Sequence, residues 1–188
     1  MSVIVAIKSG DVIYMGCDTQ TTSGKDKENK LQESTFKISK LRSGMLVGIC
    51  GKVAAHQSVC DDESVFEIEN GELTKKEIVN NIIPKIKVKL KDIAGDTSEN
   101  ERMPISIILA YKDKLFEVMR DYLVVGIEDY CSKGSGCVYT FSSLANIGLP
   151  IRERLLNGLR ISAKYCTSVS KPFVLIDTKE LKYRIVEN

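Results

Sequence analysis

The chain has a single histidine, His56, in 188 residues. A Ser-His-Asp or Cys-His arrangement would have to be built on it, yet it lies within an apparent helix, where an isolated histidine is more often a packed or surface residue. Six cysteines are present, Cys17, Cys50, Cys60, Cys131, Cys137 and Cys166, without one C-x-x-C pair and without histidines at metal-ligand spacing. They read as reduced thiols, most of them small buried hydrophobes; Cys131 and Cys137 in CSKGSGC are close enough in sequence to bridge or share a metal, but lack histidine partners. No glycine-rich phosphate loop joins a strand to a helix, since KGSG lacks the spacing. No apolar run approaches the ~20 residues needed to span a bilayer, and the first residues lack the basic-then-apolar layout of a signal peptide. Lys and Arg total 27 against 25 Asp and Glu, a net charge of +2, which gives no basic surplus for nucleic acid or an anionic membrane. A cytoplasmic protein is the default expectation.

What is present suits one compact domain over residues 1–188. Val3–Ile7 and Val12–Gly16 are short β-rich runs around KSGD, whose Gly10 and Asp11 supply turn chemistry, so a hairpin is expected. Strands also fit STFKISKL, GMLVGIC, ISIILAY, KLFEVM, YLVVGI, FVLID and LKYRIV. Helices are expected over Lys52–Asp61, after the capping-box spacing of Thr74 and Glu77 with Ile78, Ile82, Ile83 and Ile86 on one face, and over Leu149–Cys166. PKIKVKLK is ambiguous: it alternates Lys and apolar residues with strand period, and Pro84 interrupts it. GDTSENER reads as a loop. Strands first, helices in the middle and strands again indicate an α+β protein with an antiparallel sheet and helices segregated onto faces.

The chemistry that remains is at the N-terminus. A serine hydroxyl is a poor nucleophile without a base, and an N-terminal serine carries one on the same residue, an α-amine of pKa near ~8. Removal of Met1 exposes that amine on Ser2. Asp18, ending the second strand, lies beside Ser2 across a tight hairpin, and Lys37, among apolar neighbours in STFKI, needs an anion if it points inward. Taken singly, each has a plainer reading: a processed terminus, a turn residue, and an edge charge that discourages aggregation.

Taken together, Ser2-Val3-Ile4-Val5, GCDTQTTSG, FKI, MLVGICG and EDYCSKGSG resemble the proteasome β-subunit family of N-terminal nucleophile hydrolases, and most closely its HslV-like branch. The D-x-Q-x-T-x-G spelling of Asp18–Gly24 is the most specific piece. The resemblance implies a four-layer αββα sandwich, two antiparallel sheets between helical layers, and so a helix over Lys75–Ile93. It implies Ser2 as nucleophile with its α-amine as base through a water, Lys37 favouring the ionised hydroxyl, Asp18 holding Lys37, Gly48 offering its amide to the oxyanion, and Ser135 supporting the α-amine. Thr22 and Gly48 to Cys50 would edge a groove in which a peptide adds as a strand. Ser170 is in place as a supporting hydroxyl, Thr167 stands where many proteasome subunits have a supporting Asp, and serine replaces the usual threonine nucleophile. The segment between Gly136 and Leu149 is short for the family's helix. No cofactor is required; in the HslV branch, backbone carbonyls near Lys164, Thr167 and Ser170 would hold a sodium ion. A homo-oligomeric ring, an ATP-driven AAA+ unfoldase and unfolded protein or peptide substrates are the implied partners. Two other functions stay open at this point: a non-catalytic ring subunit that retains Met1, and an amidase acting on small amides.

Overall fold

The protein is described here as a computed structural model covering residues 2–23, 26–29, 32–94 and 102–187. Of the loop expected over GDTSENER, residues 95–101 lie outside that range.

Two five-stranded antiparallel sheets form the centre. In the first, the order is β10 (Tyr130–Gly134), β1 (Val3–Ser9), β2 (Val12–Asp18), β11 (Phe173–Asp177), β12 (Arg184–Val186). In the second it is β5 (Ile38–Lys40), β6 (Leu46–Gly51), β7 (Ile105–Tyr111), β8 (Lys114–Val118), β9 (Val124–Gly126). A separate hairpin, β3 (Gln20–Ser23) and β4 (Asp26–Asn29), follows β2 directly.

The unbroken apolar runs follow from covering both sheets on both faces. Along β1, Ile4 and Ala6 point between the sheets with Met15, Leu46 and Ile108, while Val3, Val5 and Ile7 pack under α5 (Ile151–Tyr165) with Leu155, Leu156 and Leu159. Along β6, Leu46 and Cys50 face the first sheet, while Val47 and Ile49 meet α1 (Val53–Cys60) and α3 (Ile83–Ala94). Three apolar cores therefore stack between four layers, helix, sheet, sheet, helix: the four-layer αββα sandwich expected above.

The ambiguous PKIKVKLK segment is helical, and its sequence shows how. Thr74 caps the helix, its Oγ1 accepting from the Glu77 amide at 3.1 Å. The Glu77 carboxylate accepts from Asn81 Nδ2 and the Glu69 amide instead of returning to the cap. After one turn, α2 (Lys75–Glu77), the chain widens into a π segment over Ile78–Ile82, with the Ile83 amide donating to the Ile78 carbonyl. Pro84, which has no amide to donate, is thereby carried just inside α3. Ile86 and Leu90, four apart, are the buried residues, while the intervening Lys87 lies over the Tyr122 ring and Lys89 pairs with Asp62 at 2.7 Å. Between Gly136 and Leu149 there is only a 3-10 turn and α4 (Phe141–Leu144), one turn long.

Strands β3, β4 and β10 carry no apolar alternation and are not marked as strands by the sequence. β10, cut from EDYCSKGSG, pairs Gly134 with Val3. β3 and β4 pair with each other, Thr22 opposite Lys27.

Candidate active site

Residue 2 is placed by main-chain contacts on three sides. The Val3 amide donates to Asp18 Oδ1 at 2.9 Å, which ties the start of β1 to the end of β2. The Ser2 carbonyl accepts from the Gly136 amide and the Ser135 hydroxyl, both at 3.3 Å. Gly134 makes this approach possible: its φ is +102°, and a Cβ there would lie 2.1 Å from the Ser2 carbonyl oxygen. Only glycine fits where β10 closes on Ser2. The Cys50 thiol lies near the Ser2 hydroxyl, which favours its ionised form, but burial is the larger influence. Burial pushes that thiol up to about 12 and leaves it protonated. Cys17, beside Asp18 in the same core, is held neutral in the same way.

Asp18 is fully buried and its charge is met from every side. Lys37 Nζ approaches Oδ1 at 2.7 Å and the Gln20 amide donates to Oδ2 at 3.1 Å. Lys37 also donates to the Gln20 carbonyl at 2.7 Å. Burial pushes the Asp18 carboxyl upward, against the Lys37 ammonium and the amides of Val3 and Gln20, which favour the carboxylate. Lys37 lies just before β5, not on a strand, so its side chain is free of the pleat and crosses from the second sheet to the first. Ser2, Asp18, Lys37 and Ser135 thus converge on one end of the sandwich.

Gly48 does not offer an amide there. It is paired with Ile38 on one edge of β6 and Ile108 on the other. The Ile49 amide donates to the Lys37 carbonyl at 2.9 Å, so the next amide on that edge is that of Gly51, by the alternation of an antiparallel strand. The Gly48 amide faces β7 instead. Gly51, with φ +143° and no room for a Cβ against the Pro104 carbonyl, ends β6 two residues past Ile49. The strand alternation likewise turns the Cys50 amide toward β7, where Cys50 pairs with Ser106. Thr22 is in β3, which among the described ladders pairs with β4 alone.

The hydroxyl that meets Ser135 is that of Ser168, at 2.7 Å. Cys166 Sγ joins them, 3.2 Å from Ser168 Oγ and 3.6 Å from Ser135 Oγ. Burial alone would raise that thiol, but the two hydroxyls outweigh it and the net shift is downward. The Thr167 carbonyl accepts from Gln20 Nε2 at 3.2 Å and Lys27 Nζ at 2.8 Å. Lys164 lies exposed in the last turn of α5.

His56 is elsewhere. Its Nε2 is 3.2 Å from Ser39 Oγ in a cavity of about 250 Å³ at the outer edge of β5, and no described carboxylate is hydrogen-bonded to it. All six cysteines are free, and among the described residues no three His, Cys, Asp or Glu cluster as metal ligands. No described helix is long and apolar enough to cross a membrane.

No family model and no curated protein matches the sequence. Solved structures do. Thiobacillus denitrificans BPH superposes with a TM-score of 0.77 at 16% identity, over 96% of this chain and 98% of that one. HslV of Trypanosoma brucei gives 0.66 at 16% identity over 93% and 98%. The Anbu protein of Pseudomonas aeruginosa, which forms a helical assembly, gives 0.73 at 14% identity over 99% and 87%. The fold is that of the HslV-like N-terminal nucleophile hydrolases. The resemblance first read in GCDTQTTSG and FKI is thus matched by likeness of fold along nearly the whole chain.

Proposed function

We propose that this protein is an N-terminal serine peptidase acting within an assembly of its own copies. The observation that carries the reading is the set of contacts on residue 2. Its carbonyl is gripped by Gly136 and Ser135, its successor's amide by Asp18, and Asp18 in turn by Lys37. A buried ion pair costs desolvation and is kept at the start of a strand where no packing need calls for it.

Once Met1 is removed, the Ser2 α-amine takes the Oγ proton through a water, and Oγ attacks the scissile carbonyl carbon. The Lys37 ammonium lowers the cost of ionising the hydroxyl, with Asp18 fixing its position. The carbonyl oxygen becomes an oxyanion facing the Gly51 amide, a kind of contact worth about 3 kcal/mol in comparable sites. The proton held by the α-amine passes to the leaving amine, an ester on Ser2 remains, and water hydrolyses it. A peptide binds as an added strand between the edge of β3 at Thr22 and the edge of β6 at Gly51, so main-chain hydrogen bonds dominate and side-chain demand is low. Substrates are therefore unfolded chains, delivered by an AAA+ unfoldase into a closed ring. Acyl transfer by this route needs no cofactor.

The experiment begins with the intact mass of the purified protein. It then adds epoxomicin, with which Thiobacillus denitrificans BPH forms a complex, and maps the adduct beside a Ser2→Ala control. Loss of one methionine and a single adduct on Ser2, absent from the control, is expected. Retained Met1 with no adduct would overturn the peptidase for this protein.

A further inference from the structure

The sodium ion implied for the carbonyls near Lys164, Thr167 and Ser170 does not fit this chain. A carbonyl oxygen has two lone pairs. Those of Thr167 are taken by Gln20 Nε2 at 3.2 Å and by Lys27 Nζ at 2.8 Å. The second donor is itself a cation, and it repels any other brought to the same oxygen.

We propose that Lys27 is this protein's built-in replacement for that ion. Its ammonium docks the β3–β4 hairpin onto the loop after α5. The placement supports this from both ends. Lys27 pairs in register with Thr22, the residue that edges the proposed peptide groove. Thr167 directly precedes Ser168, whose hydroxyl holds Ser135 against the Ser2 carbonyl. Thr19 Oγ1 adds a parallel tie to the Pro172 carbonyl at 2.9 Å. One ammonium thus fixes the distance between the strand that receives a substrate and the hydroxyls that hold the nucleophile. Lys27 is a positioning residue, and its effect on turnover rests on the peptidase reading, whereas its effect on stability does not.

The test compares sodium chloride with choline chloride at equal ionic strength, reading melting temperature and peptide turnover. The wild type is expected to be the same in both salts. Lys27→Met is expected to melt lower in choline and to lose about tenfold in turnover, the size of a lost charge-assisted hydrogen bond, with sodium restoring most of both. Lys27→Arg keeps a cation on the hairpin and is expected to stay indifferent to sodium. Carrying the melting series out also on the Ser2→Ala protein separates this inference from the peptidase reading, since that arm needs no chemistry at Ser2. A wild type that gains stability with sodium overturns the proposal, and so does a Lys27→Met protein whose losses are equal in the two salts.

Discussion

Among the described residues two ion pairs tie the two sheets together, and they are built differently. Lys37 reaches Asp18 beside Ser2, and Lys133 of β10, the register partner of Ile4, reaches Glu117 of β8 across the same gap. Asp18 is met by the ammonium and by two backbone amides, those of Val3 and Gln20. Glu117 Oε1 has no hydrogen-bond donor outside its ion pair. A buried carboxylate needs compensation, and a lysine alone supplies the minimum. Backbone amides add something a lysine does not: they fix where the main chain runs. The Asp18 pair therefore organises residue 2, and the Glu117 pair only joins two strands.

Lys37→Ala is the sharpest break of that contrast and the largest effect expected. It leaves a carboxylate with no opposite charge in a fully buried position, a change that costs about 3–5 kcal/mol in comparable sites. Turnover should fall by about a thousandfold or more, as when one member of a catalytic unit is removed. The stability loss has a definite pH sign. The Asp18 carboxyl is already raised above its ordinary 3.8 by burial, and without Lys37 it rises further. Its protonated form is the better tolerated one, so the deficit is full at neutral pH and shrinks as acid protonates the group. Urea unfolding at several pH values checks this; a deficit that grows on acidification would contradict the account.

Lys133→Met should destabilise too, by less, because the pair is not sealed: the Lys133 side chain is 23% exposed and that of Glu117 9%. The telling variant is the double change Lys133→Met with Glu117→Leu. A lone ion pair replaced by apolar groups of similar volume is often neutral, or more stable by about 1–4 kcal/mol. Unchanged turnover with equal or higher stability is the expected result. If the double variant loses turnover as Lys37→Ala does, the two pairs share one role and the contrast fails.

The same division runs through what the sequence discloses. The runs VIVAI and VIYMG announce β1 and β2 because burial on both faces demands unbroken apolar residues, and Asp18 is legible as the charge that ends them. Residues that act through their backbone are not legible in that way. Whether Gly48 or Gly51 turns its amide toward Lys37 depends on strand alternation and on where β5 stops pairing, which no composition records. Polar β10 takes its strand form from β1, remote in sequence, and polar β3 takes it from pairing with the equally polar β4, so their own residues show no apolar period. Ser168 and Ser170 are equivalent in CTSVS until the turn after α5 brings Ser168 against Ser135. Pro84 misleads because a local rule about helix interiors is relieved by the π turn that precedes it.

His56 sharpens the comparison with the smallest effect. As the chain's only histidine it gives one imidazole signal in a titration followed by NMR. Burial lowers its pKa below the ordinary 6.5, Asp61 pulls it back up, and the Lys37 charge pushes it down; Lys133 has no part in it. The midpoint in the wild type should therefore lie below 6.5, move up in Lys37→Met and stay in place in Lys133→Met. The linkage has a fixed sign. The unfolded chain takes up a proton as pH falls through 6.5 while the folded one does not, so stability is lost over that descent until the folded midpoint is reached. His56→Gln removes that slope, and Lys37→Met narrows its window by bringing the folded midpoint closer to 6.5. A midpoint that moves equally in both lysine variants would mean that the charge of Lys133 reaches the edge of β5 as that of Lys37 does, and the two ion pairs would then be one electrostatic unit.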